Sequence, residues 1–484
     1  MTTASVLGGW QEGGGPIYLR LASALRDAFR RGEIPTGSRI STERALAREV
    51  HVSRATVVAA YDLLREEGWL ESRQGSGTWV RKHPSMVTLG EQRPGYFGRS
   101  TTTLRGLIEG RGESVEFTVA ALSSGSLPLR EAVEAALPDL DEAARGHGYE
   151  SVGYLPLRER IADHMTAWGL PSRAEQIVVT TGAQQAIGML AALYGRSGDA
   201  VVVEDPTYFG AIDIFTALGL RPEPAQVGIQ GVRAEAIGRA AVRSGARFAY
   251  VMPTYHNPVG VVMPERERRE VVAVTTELHL PLVEDLTLAD LSLDGQEPPP
   301  PIATFAGEVP VLTIGSLSKL MWGGLRLGWI RAPEEVVLRL AKVKLVMDHG
   351  SSLVTQCVAA RLFERVDEIR AERRRLARER LDLLMAELRE HVPGWTWNEP
   401  AGGLALWVRL PYGSAQAFAY VAARHGVDVV PGGASAISSG FDDHLRIPFV
   451  AEPEVLREGV RRLAAAWDEY APDEDVPTAV RSVV

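Results

Sequence analysis

Apolar residues recur every three or four positions in three successive stretches near the start of the chain, which predicts three amphipathic helices. The first follows Pro16 and ends before Gly32, the second follows a capping Thr42, and the third follows a capping Ser53 and ends near Gly68. Their apolar positions are Leu21, Ala24, Leu25, Ala28, Leu46, Ala47, Val50, Val57, Ala60, Tyr61 and Leu64. The last two helices, joined by a tight turn, predict a helix-turn-helix.

A short β-hairpin is predicted directly after these helices. The stretches Trp69–Arg73 and Thr78–Arg81 flank the glycine-rich Gln74–Gly77, and such a hairpin forms the wing of a winged helix. Arg54 and Thr56 lie off the apolar face in the first turn of the third helix, where a recognition helix meets DNA. A helical bundle that binds no DNA is the alternative interpretation of the same periodicity.

The pattern changes in the second part of the chain, where apolar β-branched runs alternate with helix-length segments. The runs are Ile177–Thr181, Val201–Glu204, Phe248–Met252, Leu282–Glu284 and Val311–Ile314. They predict an α/β domain with a mostly parallel central sheet covered on both faces. The expected organisation is a DNA-binding domain at 14–83, a Pro- and Gly-containing linker at 84–113, the larger domain at 114–470 and a tail at 471–484.

Composition and charge narrow the class of protein. The 484 residues carry a net charge of -9, whereas residues 1–83 hold twelve Arg and Lys against nine Asp and Glu, which is +3 and weak support for nucleic-acid binding. A single cysteine, Cys357, excludes an intramolecular disulfide framework. No apolar run reaches the roughly 18 residues of a membrane span, so a soluble, cytoplasmic protein that contacts no membrane is expected.

Candidate chemistry follows each of the predicted strands, at the edge of a parallel sheet where ligands collect. The chain has only four lysines against forty-eight arginines, and Lys319 lies between Ser316-Leu317-Ser318 and a Gly-rich turn that contains Arg326. Taken singly, each motif has an ordinary alternative, such as a surface lysine, a strand-to-helix turn, a core tyrosine or a helix cap. The other motifs are Thr180-Thr181-Gly182-Ala183-Gln184-Gln185-Ala186, Pro206-Thr207-Tyr208, His256-Asn257-Pro258 and Glu284-Asp285.

Together these residues supply what pyridoxal 5'-phosphate requires. Lys319 offers an amine for the cofactor aldehyde, and Asp285 offers a carboxylate that keeps the ring nitrogen protonated. Asn257 is expected to bond the ring hydroxyl, and Tyr208 to stack on the ring. Arg326 and the free amides of the Gly182 turn are expected to hold the phosphate. The remaining candidates for this site are Ala183, Gln184, Ser316 and Ser318.

The first part of the chain resembles the GntR-type winged helix-turn-helix, in residues that include Gly37, Arg44, Leu46-Ala47, Val52-Ser53-Arg54, Thr56-Val57 and Gly75-Ser76-Gly77-Thr78. The order of the cofactor motifs is similar to that of fold-type I aminotransferases over about residues 115–470. The two together resemble the MocR/GabR family of transcriptional regulators. The DNA-binding residues expected from the resemblance and the helix pattern are Arg44, Ser53, Arg54, Thr56, Arg73, Gly75, Gly77 and Thr78.

The resemblance implies further properties. Arg446 would bind a substrate α-carboxylate, and Tyr149 would reach the phosphate of the neighbouring subunit in a head-to-tail homodimer. An amino acid or amine is the expected effector. The aminotransferases usually have a tyrosine about three residues after the Asp285 position, where this chain has Leu288. Loss of that hydroxyl is expected to alter the ring electronics.

Three hypotheses follow for the function. The first is a transcriptional regulator that binds DNA and senses pyridoxal phosphate, an amino compound or both. The second is an active aminotransferase that carries a DNA-binding module. In the third, the larger domain is only a dimerisation scaffold.

Overall fold

The structure is a computed structural model that describes residues 7, 10, 16–30, 34, 37–66, 68–73, 77–81, 114–438 and 440–470. The linker expected at 84–113 and the tail expected at 471–484 lie outside the described residues, and so does Gly75. Among the described residues, no helix is both long and apolar enough to cross a lipid bilayer.

The first part of the chain folds as the predicted winged helix-turn-helix. Thr42 caps the second helix by accepting from the amide of Ala45 at 3.3 Å, and Ser53 caps the third by accepting from the amide of Thr56 at 3.1 Å. The predicted apolar positions Leu21, Leu46, Val57, Tyr61 and Leu64 are fully buried between the helices. The elements are α1 (Ile17–Arg30), α2 (Glu43–Glu49), α3 (Arg54–Glu66) and the antiparallel hairpin of β1 (Leu70–Arg73) and β2 (Gly77–Val80).

The larger domain contains the predicted mostly parallel sheet. Within the described residues it has eight strands, in the spatial order β4-β11-β10-β9-β8-β5-β6-β7. Only β11 and β7 run antiparallel to their neighbours. The bounds are β4 (Ile177–Thr180), β5 (Ala200–Asp205), β6 (Arg221–Gly228), β7 (Gly231–Val232), β8 (Ala249–Val251), β9 (Leu282–Asp285), β10 (Val311–Ser316) and β11 (Gly328–Arg331). All five runs predicted as strands are therefore confirmed.

Helices cover this sheet on both faces, as its apolar strands require, because the residues of β4, β5, β8, β9 and β10 are all buried. They are α4 (Leu129–Ala135), α5 (Leu137–Ala143), α6 (Leu155–Ala167), α7 (Ala183–Tyr194), α8 (Phe209–Ala217), α9 (Ala234–Ser244), α10 (Glu265–Glu277), α11 (Leu317–Leu320), α12 (Glu334–Met347) and α13 (Leu353–Phe363). Short 3₁₀ turns occur at Ala174–Gln176, Ile302–Phe305 and Gly323–Leu325.

A second, smaller sheet joins the two ends of the larger domain. Its strand order is β12-β13-β15-β14-β3, and β3, which comes first in the chain, pairs parallel to β14 at the edge. The helix that precedes β14 packs against α3 of the winged helix-turn-helix. The elements are β3 (Val115–Phe117), α14 (Val366–His391), β12 (Thr396–Trp397), β13 (Ala405–Arg409), α15 (Ala415–Arg424), β14 (Val427–Pro431), the 3₁₀ turn Gly432–Ser435, β15 (His444–Pro448) and α16 (Pro453–Tyr470).

Strand β3 is anchored by close packing against α16. Phe117 is fully buried, and a Cβ added to Gly459 would lie 2.3 Å from the Cζ atom of its ring. A ring in a packed core cannot move aside freely, so only glycine fits at this helix position. The edge strand is thus held by close packing against α16 as well as by its pairing with β14.

Replacing Gly459 with Ala is therefore expected to lower the free energy of unfolding by about 1–3 kcal/mol, the usual cost of overpacking. The matched control is Gly307→Ala, because no atom lies within 4 Å of a Cβ at that position. Thermal and denaturant unfolding of both variants measure the difference. Equal stability of the two variants would show that the contact with Phe117 does not constrain this part of the domain.

Candidate cofactor site

A cavity of about 190 Å³ lies at the carboxyl ends of the parallel strands. Every cofactor and effector residue expected from the sequence lines it, except Gly182 and Tyr149. The expected residues that line it are Ala183, Gln184, Tyr208, Asn257, Asp285, Ser316, Ser318, Lys319, Arg326 and Arg446. The structure thus brings together side chains from five strand ends and from the smaller sheet.

The lysine is positioned by the end of β10. Ser316 caps the short helix α11 by accepting from the amide of Ser318 at 3.2 Å, so Lys319 falls in the first turn, beyond the sheet edge. The buried Arg373 donates to the carbonyl of Met321 at 2.8 Å and fixes the end of this helix. The Lys319 amine donates to the carbonyl of Ala120 at 2.6 Å.

The surroundings of Lys319 favour its neutral form. Burial and the neighbouring Arg446 and Arg326 guanidinium groups lower the pKa of Lys319 to about 8, while Asp285 acts in the opposite direction. A lysine in water has a pKa of about 10.4, so near neutral pH the neutral fraction of Lys319 is far larger than that of a lysine in water. Such an amine can attack a carbonyl carbon.

Asp285 is held by two hydrogen bonds at the end of β9. The Tyr250 hydroxyl donates to one carboxylate oxygen at 2.6 Å, and the Thr287 amide donates to the other at 2.9 Å. Burial raises the pKa of Asp285, and these hydrogen bonds act in the opposite direction. Burial and Asp285 itself raise the pKa of Tyr250 well above its usual value, so the phenol keeps its proton and remains a donor.

The predicted anion-binding end of the site combines a helix N-terminus with an arginine. Gly182 is the N-cap of α7 with φ of 112°, and its Cβ, if present, would lie 3.2 Å from Nη2 of Arg326. The same Nη2 donates to the carbonyl of Thr181 at 3.0 Å. Gly182 does not line the cavity, but its lack of a side chain allows Arg326 to lie against the turn at the N-terminus of α7, where a helix favours an anion.

Asn257 and Arg446 lie at the other side of the cavity and contact each other. The Arg446 Nε donates to the amide oxygen of Asn257 at 3.0 Å, and its Nη1 donates to the carbonyl of Thr118 at 3.1 Å. Burial lowers the pKa of Arg446 to about 10, so it remains charged at neutral pH. The buried Arg268 donates to the carbonyl of Pro253 and the hydroxyl of Thr254, which fixes the segment that leads to Asn257.

The two tyrosines expected at the site have different surroundings. The Tyr208 hydroxyl accepts from the side-chain amide of Gln184 at 2.8 Å, and burial and Asp285 raise the pKa of Tyr208 to about 12. Tyr149 is 67% exposed and contacts the rings of His147 and His349 instead of the cavity of its own chain. This location fits a residue that would act only in a neighbouring subunit.

The cavity also includes residues that were not among the expected contacts. The segment Thr118–Ala120 lines it together with Tyr255, His256 and Leu288, and Tyr250 donates a hydrogen bond to Asp285. Leu288 occupies the position where the aminotransferases usually have tyrosine. No local motif marks Thr118–Ala120, whereas a tyrosine inside the apolar run of β8 could have suggested a polar partner for Asp285.

The candidate DNA contacts lie on α2, on α3 and on the wing. Arg44 and Arg54 are exposed, and Arg54 forms a long ion pair with Glu43 at 3.8 Å. The hydroxyl groups of Ser53 and Thr56 lie 2.9 Å apart at the start of α3.

On the wing, Gly77 has φ of 95°, and a Cβ at this position would lie 2.7 Å from Nε of Arg39. Thr78 is half-buried on β2. Gly75 and the side chain of Arg73 lie outside the described part of the chain.

These features define a winged helix-turn-helix protein with an α/β domain of the aminotransferase type. Residues 118–463 match the family described as aminotransferase class I and II, and residues 17–80 match the gntR family of bacterial regulatory proteins. The chain therefore belongs to the MocR/GabR-type family of transcriptional regulators, in which these two domains are joined.

Individual relatives support both domains. The uncharacterized HTH-type transcriptional regulator YdfD of Bacillus subtilis is 30% identical over 94% of this chain and 97% of its own. A 2-aminoadipate transaminase of Thermus thermophilus is 31% identical over 70% of this chain and 86% of its own. The crystal structure of LysN, an α-aminoadipate aminotransferase from Thermus thermophilus complexed with N-(5'-phosphopyridoxyl)-L-leucine, is 29% identical and has a TM-score of 0.70. It covers 77% of this chain and 97% of that chain.

The lowered pKa of Lys319 predicts its chemical reactivity. Acylation of this amine should rise with pH to a midpoint near 8, because only the neutral form reacts. Arg446→Met removes a positive charge and should move the midpoint to higher pH. Competitive acylation read by mass spectrometry measures both, with the exposed Lys342 as the internal control. A midpoint for Lys319 equal to that of Lys342 would contradict the electrostatic argument.

Proposed function

We propose that this protein regulates transcription by binding a specific DNA sequence and that its larger domain binds pyridoxal phosphate and an amino-acid or amine effector. The observation that carries the proposal is the cavity itself, in which Lys319, Asp285 and Arg446 converge in a chain that also has a GntR-type DNA-binding domain. We further propose that residues 84–113 tether the two domains. A cytoplasmic location follows from the DNA target.

The residues present fit the cofactor. Lys319 supplies a buried amine with a lowered pKa, and Asp285 supplies a carboxylate whose ionised form is stabilised by two donors. Arg326 and the N-terminus of α7 supply a positive end for the phosphate, with Ser316 and Ser318 close by. When bound, the cofactor supplies an electron-accepting ring conjugated to the bound nitrogen.

Each side chain of the proposed site has a separate role. Lys319 holds the cofactor and moves protons at its Nζ atom, while Asp285 holds a proton at the ring nitrogen. Asn257 orients the ring by bonding to the ring hydroxyl, and Tyr208 covers the ring face. Arg446 binds and orients an effector carboxylate, which favours amino acids over simple amines.

A homodimer is proposed on the basis of exposed apolar residues. The end of α12 and the start of α13 expose a patch that adjoins Tyr149 through His349. Its members are Leu345 (45% exposed), Val346 (88%), Met347 (46%) and Val354 (59%). Exposed apolar patches of this kind mark interfaces. A head-to-tail partner seated there would bring its Tyr149 toward the phosphate end of this cavity.

An active aminotransferase that carries a DNA-binding module is the second candidate function. The retained Lys319, Asp285 and Arg446 favour it, as does the similarity to a 2-aminoadipate transaminase. Leu288 in the ring pocket and the full-length similarity to transcriptional regulators favour the first candidate. Sustained turnover of an amino acid with a keto acid would support the enzyme.

Selection of double-stranded DNA from a random pool tests the proposal. The full-length protein should enrich one sequence at physiological salt, and it should show an absorbance band of lysine-bound cofactor that is lost in Lys319→Ala and kept in Lys342→Ala. Enrichment of no sequence would contradict the regulator. A band that persists in Lys319→Ala would mean that another lysine binds the cofactor.

Arg54→Ala should weaken binding to the enriched sequence. A phosphate contact would make the salt dependence shallower by roughly one released ion, and a base contact would cost about 1–3 kcal/mol and relax specificity at one position. Arg266→Ala is the control, because Arg266 is also an exposed, ion-paired arginine, and it lies on α10 of the larger domain. Unchanged affinity of Arg54→Ala in salt titrations would place the DNA contact elsewhere.

Tyr250→Phe should alter the cofactor spectrum rather than abolish binding. The tyrosine stabilises the ionised carboxylate of Asp285. Its loss should move the shared proton from the ring nitrogen toward Asp285 and so reduce the positive charge of the ring. The absorbance of the bound cofactor changes with pH, and the midpoint of that change should therefore move to higher pH. Tyr412→Phe, in the smaller sheet region, is the control, and equal midpoints for the two variants would exclude the role of Tyr250.

A further inference from the structure

The segment Thr118–Ala120 connects the candidate cofactor site to the part of the chain that leads to the DNA-binding domain. Strand β3, at Val115–Phe117, is the first described element after the proposed tether. The next three residues line the cavity. Both Thr118 and Ala120 are buried, at 5% and 7% exposure. A movement of this segment would therefore act directly on the chain entering from the DNA-binding domain.

Two cationic side chains of the site hold this segment by its backbone. The Lys319 amine donates to the carbonyl of Ala120 at 2.6 Å, and the Arg446 guanidinium donates to the carbonyl of Thr118 at 3.1 Å. These are the same groups that a carbonyl cofactor and a carboxylate effector require. Buried carbonyls that lose such donors must find new partners or move.

Cofactor binding and the first of these hydrogen bonds exclude each other. An ammonium group has three N–H donors and can orient one of them toward Ala120. When the neutral Lys319 amine forms a C=N bond to the aldehyde carbon, its two hydrogens leave with the aldehyde oxygen as water. The nitrogen can then carry at most one hydrogen, and the bound cofactor sets the direction in which that N–H points. The carbonyl of Ala120 thus loses its charged donor.

A second route leads from β3 to the DNA-binding domain through packing. Val115 and Phe117 of β3 pair with Val427 and Val429 of β14. Helix α15, which precedes β14, packs against α3, and Arg424 at its end interacts electrostatically with Asp62 of α3. A shift of β3 would thus be transmitted to the recognition helix α3 by two routes, along the connecting chain and through the packing of α15 against α3.

We propose that Thr118–Ala120 reports occupancy of the site to the DNA-binding domain. Lys319 and Arg446 release the two carbonyls when they bind cofactor and effector, and the released segment changes the position of β3 and the arrangement of the DNA-binding domain. This inference rests on the proposed function, because it needs cofactor binding at Lys319. It names Thr118–Ala120 as the segment through which occupancy of the cofactor site affects the DNA-binding domain.

Two substitutions of the same residue separate the hydrogen bond from the cofactor. Neither Lys319→Met nor Lys319→Arg can bond covalently to an aldehyde, but arginine retains a cationic donor for the carbonyl of Ala120. Without cofactor, Lys319→Met should bind the enriched DNA with the affinity of cofactor-loaded wild type, a shift of about fivefold or more. Lys319→Arg should stay closer than Lys319→Met to the affinity of cofactor-free wild type, and the control Lys342→Ala should match that affinity.

Hydrogen exchange of the 114–124 peptide should resemble that of cofactor-loaded wild type in Lys319→Met and should stay closer to that of cofactor-free wild type in Lys319→Arg. Equal DNA affinity and equal exchange in Lys319→Met and Lys319→Arg would overturn the inference while wild type still responds to pyridoxal phosphate. Arg446→Met provides a second test that leaves the lysine intact, and it should shift DNA affinity in the direction of Lys319→Met. A wild-type protein that binds pyridoxal phosphate at Lys319 without any change in DNA affinity would also overturn the inference, whereas failure to bind pyridoxal phosphate at Lys319 would contradict the proposed function itself.

Discussion

The site depends on one constraint, which is that a half-buried amine beside two guanidinium groups loses its proton at lower pH than a lysine in water. Burial, Arg446 and Arg326 together lower the pKa of Lys319 to about 8, and Asp285 limits the effect. Each of these groups has a second task in the proposed site, as the contact for the effector carboxylate, the phosphate or the ring nitrogen. The arrangement that binds the ligands is therefore also the arrangement that makes the lysine reactive.

Much of this arrangement could be predicted because parallel strands end at one edge of a sheet. Asp285 and Lys319 follow strands whose apolar runs are plain in the sequence, so their convergence required only the fold. The contact between Lys319 and Ala120 spans 199 residues and reaches the loop that follows β3 of the other sheet, and no local pattern encodes it. Tyr250 was missed for another reason, since a tyrosine in a buried strand resembles an ordinary core residue.

Two features of this chain bear on the choice between an enzyme and a regulator. Leu288 lines the cavity three residues after Asp285, and β3, at the edge of the smaller sheet, follows the DNA-binding domain in the chain. A ligand can shift the arrangement of that domain only if it binds one arrangement better than another. The carbonyls of Thr118 and Ala120 provide such a difference, because they compete with ligands for the same two cations.

The central claim is that the cofactor site and the DNA-binding domain are energetically coupled, and reciprocal titrations of the full-length protein test it most directly. The affinity for the selected DNA is measured with and without pyridoxal phosphate, and the affinity for pyridoxal phosphate is measured with and without that DNA, at one salt concentration. Linkage requires the same factor in both experiments, and we expect about fivefold or more. Pyridoxal phosphate that binds at Lys319 while both affinities stay constant would contradict the account.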